Sequence, residues 1–425
     1  MGRDEEMKIN DERVKDITIL VDGYIVGGAV RDYLLGKPIY DWDISTPKTP
    51  DEVIKLLQDN GFKTILTGAK YGTVSTIVDG IQHPVEITTF RSEKYNNSRF
   101  PEVVYHTTQK GDSMRRDFTI NAMAYDVRND KILDYYGGME DIKSRTIRFV
   151  GEPIERIKED PLRIIRACRI AATLGFRMDE DTSNALMEMR DLLSTLSQDR
   201  LVMEIKKANL YLRNFFMCLM KHHLTQYVFG YDFTETLFME HDNRGSHYGE
   251  SIYKHTLDAL ERADKIGWHD FALRIAILYH DVGKLLTRTE SNGSVHFIGH
   301  ENVSTEIFGR TLGSFTGMDK KTKNQIEFLI QNHMIFPLME TKHRIIKSVV
   351  DWKMNNIPFE WIDNQSKLAY ADRGIDYTAL MDKIRKVFAM PRPDGNHFLK
   401  YEPTTRKEHI RQVWIEKLHN EIEVN

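Results

Sequence analysis

The sequence predicts an α+β protein, a head of mixed sheet and helices followed by all-α segments. Three observations carry this expectation. Two runs rich in β-branched residues, 73–78 and 85–90, stand a hairpin connection apart. Near residue 150 the hydrophobic period turns helical and stays so. No stretch rich in Gly, Pro or Ser is long enough to act as a flexible linker. A chain of 425 residues is expected to form two to three domains, because single cores seldom grow past a few hundred residues. Boundaries are placed near residues 150, 240 and 380, which divides the chain into 1–150, 151–240, 241–380 and 381–425.

The elements follow in order. Tyr24–Val26 reads as a short strand, Ala29–Leu35 as a helix closed by Gly36, and Asp41–Ile44 as a second strand. Thr73–Val78 and Val85–Phe90 form the hairpin, joined through Asp79-Gly80. Phe118–Tyr125 is strand-like. Pro161 suits the first turn of a helix on which Asp160, Arg163, Arg166 and Arg169 recur every three residues, opposite Ile164, Ile165, Cys168 and Ala172.

Composition excludes several classes. With Cys168 and Cys218 as the only cysteines, both in apolar stretches, neither a disulfide framework nor a Cys-based zinc site is indicated. The opening MGRDEEMKIN is acidic where a signal peptide is basic and then apolar, and no segment is apolar enough to span a bilayer. A soluble, unprocessed, cytoplasmic protein with no membrane partner is expected. The net charge of −4 means that any nucleic acid must meet a local basic patch. Candidates are Lys143–Arg169 and Lys320–Lys323, each of which, taken alone, reads equally as a solvated charged face.

The chemistry-bearing residues of the first 170 positions form a constellation. Gly27-Gly28 lies where a strand turns into a helix, so backbone N–H groups can face a triphosphate, with Arg31 one turn further on. In Asp41-Trp42-Asp43, residues two apart on a strand share a face, so both carboxylates can hold Mg²⁺ while Trp42 and Ile44 face a core. Two metals there would lower the pKa of an attacking 3′-hydroxyl and neutralise a triphosphate leaving group. Glu86, between Val85 and Ile87 on the later hairpin strand, is either a third acidic group at the metals or a solvated strand residue. Arg115-Arg116-Asp117 offers guanidinium groups for phosphate and a carboxylate for ribose hydroxyls, or else a surface ion pair. A carboxylate and a guanidinium at Asp160 and Arg163 can mimic a base edge: Asp160 accepts from an exocyclic amino group, and Arg163 donates to the adjacent ring nitrogen. Cytosine and adenine both present that edge; uracil and guanine do not.

GGAVRD, DWD, RRDFTINAMAY, DYYGGMEDI and EDPLRIIRACRIAATLGF occur here in the order seen in class II tRNA nucleotidyltransferases and bacterial poly(A) polymerases, which the chain resembles over about residues 20–210. The resemblance implies a head similar to the DNA polymerase beta superfamily, an all-α neck carrying the nucleotide-selecting helix, and untemplated addition of CCA to tRNA from CTP and ATP. It carries nucleotide-binding roles onto Gly28, Arg31, Arg116, Asp160, Arg163, Arg166 and Arg169, and metal-binding roles onto Asp41 and Asp43.

A second constellation comprises His255, His280-Asp281 in LYHDVGK, His300, His333 and Asp372, all expected in helices or at their ends. The set resembles the HD-domain phosphohydrolases, with GHENVSTE and NHM supplying the extra His of two-metal members. A mixed N/O ligand set accepts Mn, Fe, Co, Ni or Mg, so the metal stays open. The resemblance implies hydrolysis of 2′,3′-cyclic phosphate or 2′-phosphate at RNA ends by a metal-activated water. Two alternatives stand beside CCA addition. One is a poly(A) polymerase, against which the C-terminal stretch, not strongly basic, and the segment GAKYGTVSTIV both count. The other is an RNA-binding or regulatory protein in which only the HD hydrolase acts.

Overall fold

Short β-branched segments, each with one apolar face, assemble into a mixed seven-stranded sheet in the first 133 residues. The strands are β1 (Tyr24–Val26), β2 (Asp43–Thr46), β3 (Lys63–Ile65), β4 (Thr73–Ile77), β5 (Val85–Thr89), β6 (Arg91–Lys94), β7 (Glu102–Tyr105), β8 (Ala124–Asp126) and β9 (Lys131–Leu133). The sheet runs β3-β4-β5-β2-β1-β8-β9, while β6 and β7 pair with each other. The computed structural model describes residues 11–69, 72–94, 102–105, 108–240, 250–339, 341–391 and 403–421. The chain divides into two compact units, Met1–Leu196 and Ser197–Asn425.

The sheet is antiparallel except where β2 runs parallel to β5. Its register puts Glu86, Asp43, Val26, Ala124 and Leu133 in one row across five strands. Strand directions then place Asp41, Gly27-Gly28, the segment before Ala124 and the segment after Leu133 beyond the same end of the sheet. Val85, Ile87, Ile44 and Trp42 are buried as the alternation requires.

Helix α1 (Glu12–Leu20) precedes the sheet, α2 (Gly28–Leu34) follows β1, and α3 (Pro50–Asp59) opens with a capping box between Thr49 and Glu52. Then come α4 (Gln109–Met114), α5 (Gly138–Lys143), α6 (Pro153–Glu159) and α7 (Leu162–Leu174). Gly36 closes the α2 region at φ 64°.

Four local expectations are corrected. The second strand starts at Asp43, so Asp41 precedes it. The segment 118–125 is not one strand: Asp117 Oδ1 accepts from Phe118 N–H and Asn121 Nδ2, which curls Thr119–Asn121 into a 3-10 turn before β8. Asp160 is extended, at φ −148°, and ends α6, with Pro161 as the N-cap of α7. The residue before a proline is driven out of the helical region, which leaves Asp160 outside the helix that carries Arg163, Arg166 and Arg169. Finally, the later chain contains strands: Arg177–Met178 pairs with Thr146–Ile147, and a hairpin joins Thr289–Ser291 to Ser294–His296. That hairpin turns through Asn292-Gly293, both at positive φ, as a two-residue turn demands.

The second unit is otherwise helical. Helices Ile252–Ile266, Phe271–Tyr279, His300–Arg310, Lys320–Gln331 and Phe359–Arg373 carry the His/Asp residues on or at the end of their spans. A further core gathers Phe336, Ile346, Val350, Ile384, Trp414 and Leu418, so the helix Pro403–Glu421 is packed into this unit. Among the described residues no helix is long and apolar enough to cross a membrane.

Candidate active sites

At the end of the sheet where β2 begins, Asp43 and Glu86 are register partners on neighbouring parallel strands and therefore share a face. Asp41 is exposed two residues upstream. Burial raises the Asp43 carboxyl above its ordinary value; Arg116 opposes this and the charge of Asp41 adds to it. Asp43, partly buried beside the exposed carboxylates of Asp41 and Glu86, belongs to a donor set suited to a hard divalent cation such as Mg²⁺.

Gly27 sits at φ 74°, and a Cβ there would lie 3.0 Å from Arg116 Nη1 and 3.2 Å from Asp43 Oδ2. A side chain at this position would intrude between the acid and the guanidinium. At Gly28 a Cβ would lie 3.3 Å from Arg31 Nη2. Arg31 itself is held by Asp32 through Nε and Nη2, each at 2.9 Å, and by Asn121 Oδ1 at 2.7 Å.

Asp112, fully buried, anchors the Arg115-Arg116-Asp117 motif: its Oδ1 accepts from Arg115 Nε at 2.8 Å, and its Oδ2 lies 3.6 Å from Arg116 Nη2. Asp117 is buried and accepts four hydrogen bonds, from Phe118 N, Asn121 Nδ2, and Arg166 Nε and Nη2. Burial alone would raise its carboxyl, but the Arg166 charge and these donors outweigh it and hold Asp117 well below the usual carboxylate range.

The α6–α7 junction grips the same motif by its backbone. Arg156 Nη2 donates to the carbonyls of Arg115 (2.5 Å) and Arg116 (2.9 Å). Arg163 Nη2 reaches the Arg115 carbonyl at 3.2 Å, and its Nη1 donates to Arg156 O at 2.8 Å and Glu159 Oε2 at 2.6 Å. Glu159 also pairs with Arg156. Arg163 is therefore buried, not part of a solvated polar face. Asp160 Oδ1 accepts from Leu162 N–H at 3.1 Å. Arg169 lies two turns beyond Arg163 on α7. The first unit thus gathers Asp43 with Arg116, and Asp117 with Arg166, and ties Arg163 to the backbone of Arg115.

In the second unit the six expected residues converge in a buried cluster of two groups that share Asp281. Around Asp281 Oδ2 stand His255 Nε2 (3.6 Å) and His280 Nε2 (3.4 Å); Asp372 Oδ1 lies 3.0 Å from His255 Nε2 and 3.6 Å from His280 Nε2. Around Asp281 Oδ1 stand His300 Nε2 (3.4 Å) and His333 Nε2 (3.8 Å), themselves 3.0 Å apart. His280, His300 and His333 each bond a backbone carbonyl through Nδ1, at 2.9, 2.7 and 2.8 Å, which turns every Nε2 lone pair inward. Burial lowers His255 and pushes His333 down to about 3, whereas His280 is raised because Asp281 and Asp372 outweigh burial. Asp281 and Asp372 are held well below the ordinary carboxylate value: burial would raise both, but His280 and Lys284 dominate for Asp281, and His255 and His280 for Asp372. Ionised carboxylates and inward-facing imidazoles in two groups with a common carboxylate form a donor set that fits a pair of divalent metal ions.

Sequence reasoning missed four participants. Glu159 opens the motif that holds Asp160 and Arg156 lies three residues before it; the i,i+3 spacing of Arg156 to Glu159 and the i,i+4 spacing of Glu159 to Arg163 were the available signal. Asn121 lies within RRDFTINAMAY. Lys284, three residues after Asp281 in HDVGK, donates to Asp281 Oδ2 at 2.6 Å.

Residues 23–148 match the poly A polymerase head domain, which bears out the family resemblance over the first four of the five motifs. Over 186 residues the chain is 45% identical to the CCA-adding enzymes of Staphylococcus saprophyticus and Bacillus pumilus; the match spans 43% of this chain and 45% of each relative, less than half their length. In fold it is similar to the Bacillus stearothermophilus CCA-adding enzyme solved in complex with CTP, with a TM-score of 0.72 and 25% identity, covering 99% of this chain and 95% of that one. A Thermotoga maritima CCA-adding enzyme complexed with tRNA shares the fold at TM-score 0.63 and 19% identity, covering 99% of this chain and 94% of that one.

Proposed function

We propose that this chain, with its poly A polymerase head, adds C, C and A to tRNA 3′ ends from CTP and ATP without a nucleic-acid template. The observation that carries the reading is the joint construction of its first unit: Asp43, in register with Glu86, stands beside Arg116, and the α6–α7 junction bearing Asp160 and Arg163 grips the backbone of that arginine's motif. Similarity to CCA-adding enzymes, 45% identity over 186 residues and a shared fold, supports it.

Asp41 and Asp43 would hold Mg²⁺, with Glu86 one strand away as a third acidic group. When bound, two such ions would favour deprotonation of the attacking 3′-hydroxyl and neutralise the leaving pyrophosphate. Arg31 and Arg116 bind the triphosphate beside the backbone of Gly28. Asp117 orients Arg166 and reaches a ribose hydroxyl by exchanging one of its arginine hydrogen bonds. Asp160 and Arg163 select the amino-donor, ring-acceptor edge of C and A, Arg163 by giving up its bond to Glu159 when the base arrives, with Arg169 extending the basic side of the helix. The head is assigned to 1–150, the neck to 151–240, the HD domain to 241–380 and a helical tail to 381–425, in a protein acting in the cytoplasm.

The shared carboxylate of Asp281 favours a second activity, hydrolysis of 2′,3′-cyclic phosphate or 2′-phosphate at RNA ends. His255, His280, Asp281 and Asp372 would hold one divalent ion, and Asp281, His300 and His333 another; the ions would activate water and neutralise phosphate charge. Lys284 keeps Asp281 ionised.

The test uses purified protein, Mg²⁺ and tRNA transcripts ending before CCA, with each nucleotide labelled in turn and products resolved to one nucleotide. Addition of C, C and A followed by arrest is expected. A long A ladder would make the protein a poly(A) polymerase, and no incorporation would leave only the HD hydrolase. For that activity, His280→Ala should abolish cleavage of a cyclic-phosphate RNA end while CCA addition continues; loss of both in a folded variant would refute separate sites.

A further inference from the structure

The loop after β9 presents a surface that none of the roles above uses. It emerges beyond the row Asp43–Val26–Ala124–Leu133, at the end of the sheet that carries the acidic residues. Three strand spacings put its start about 14 Å from Asp43 along the sheet. Three backbone N–H groups converge on Asp134: Tyr136 and Gly138 donate to Oδ1, at 3.3 and 2.9 Å, and Met139 to Oδ2 at 2.8 Å. Gly138 packs so closely that a Cβ there would lie 2.3 Å from the carbonyl oxygen of Thr119. Tyr136 Oη donates to the Lys110 carbonyl at 3.2 Å. The loop is thus fastened on three sides, and on it Tyr135 stays 40% exposed. Lys110 Nζ stands 6.0 Å from the centre of that ring. One turn along α4 on the same face, Met114 is 59% exposed, and Arg115 and Arg116 follow directly.

A rigid exposed aromatic ring with a cation over it and an apolar neighbour, beside a nucleotide-transfer site, has the chemistry that single-stranded nucleic acid recognises: bases stack on the ring and the cation meets the backbone. We propose that Tyr135, with Lys110 and Met114, is a stacking platform for the unpaired 3′ end of the RNA being extended. The proposal rests on the nucleotidyltransferase reading. Its occupant is RNA, since the loop emerges at the end of the sheet that carries the acidic residues and its ring carries a cation suited to phosphate.

The test places 2-aminopurine at the last base of a tRNA transcript ending before CCA. Wild-type protein and Tyr135→Phe should quench its fluorescence on binding, and Tyr135→Ala should not. In turnover, Tyr135→Ala should raise the KM for tRNA roughly five- to hundredfold, the range of one lost base–aromatic stack, with the KM for CTP unchanged. Equal quenching and equal KM for tRNA in Tyr135→Ala would overturn the platform, as would a matching rise in the KM for CTP. If wild-type protein extends no tRNA, the nucleotidyltransferase reading fails by itself, while the quenching comparison still decides whether Tyr135 stacks on RNA.

Discussion

Replacing Asp281 by Asn should collapse both halves of the buried His/Asp cluster, whereas replacing His300 should collapse one. Asp281 Oδ2 lies 3.4 and 3.6 Å from the nitrogens of His280 and His255, and Oδ1 lies 3.4 and 3.8 Å from those of His300 and His333. One side chain therefore faces both groups. The first group has two carboxylates, Asp281 and Asp372, and loses half its negative charge in the variant; the second has Asp281 alone and is left with two imidazoles. A divalent ion held by two neutral nitrogens in a buried site has no charge partner, and desolvation then opposes binding. With Asp41 and Asp43 replaced by Asn throughout the series to empty the head site, Asp281→Asn should thus fall from two bound equivalents of Mn²⁺ to one or none, with any remaining ion bound at least about 100-fold more weakly, since even outer-shell losses reach that size. His300→Ala should retain one equivalent, as should Asp372→Asn. The assay is elemental analysis after dialysis against Mn²⁺, with far-UV circular dichroism as the folding control. A folded Asp281→Asn protein that keeps two equivalents would refute the shared-carboxylate arrangement.

Asp43→Asn should lower nucleotide incorporation at least about 100-fold, leaving cyclic-phosphate cleavage unchanged; full incorporation at ordinary Mg²⁺ would exclude Asp43 from the metal site. Asp160→Ala should reduce the preference for C and A over U and G roughly ten- to hundredfold, the worth of one bidentate base contact, and primer extension with mixed nucleotides reads it directly. Arg163→Ala should do the same and also cost about 1–3 kcal/mol of stability, because it removes buried hydrogen bonds to the Arg115 and Arg156 carbonyls and to Glu159. The Asp117 carboxyl is held below its ordinary value of 3.8, so its ion pair with Arg166 stabilises the fold above about pH 4 and fades as the pH falls further. Asp117→Asn should be less stable than wild type at pH 7, and the gap should begin to narrow as the pH falls below about 4; a gap in thermal midpoint that stays constant from pH 7 down to about pH 2 would refute the linkage.

Much of the head was legible because its chemistry is local. Tyr24–Val26 and the hairpin of β4 and β5 declare themselves through β-branched runs, and GGAVRD and DWD put their donors within a few residues of a strand end. Where local rules compete, reading failed: Asp160 looked helical by spacing, but the proline after it outweighs periodicity, and the strand-like run after Asp117 gave way to side-chain hydrogen bonds.

The amino-acid order alone settled which residue types are present for each chemistry and in what succession, since a motif needs only near neighbours to be recognisable. Which of those residues meet was decided by tertiary structure. His255 and Asp372 are 117 positions apart yet sit 3.0 Å from each other, because the helices Ile252–Ile266 and Phe359–Arg373 pack together. Arg163 was expected on a polar helical face; it is buried because two backbone carbonyls and Glu159 satisfy a guanidinium more fully than one surface partner would. Side-chain partners at long range depend on packing that no short segment encodes, and the two catalytic centres proposed here are made of such partners.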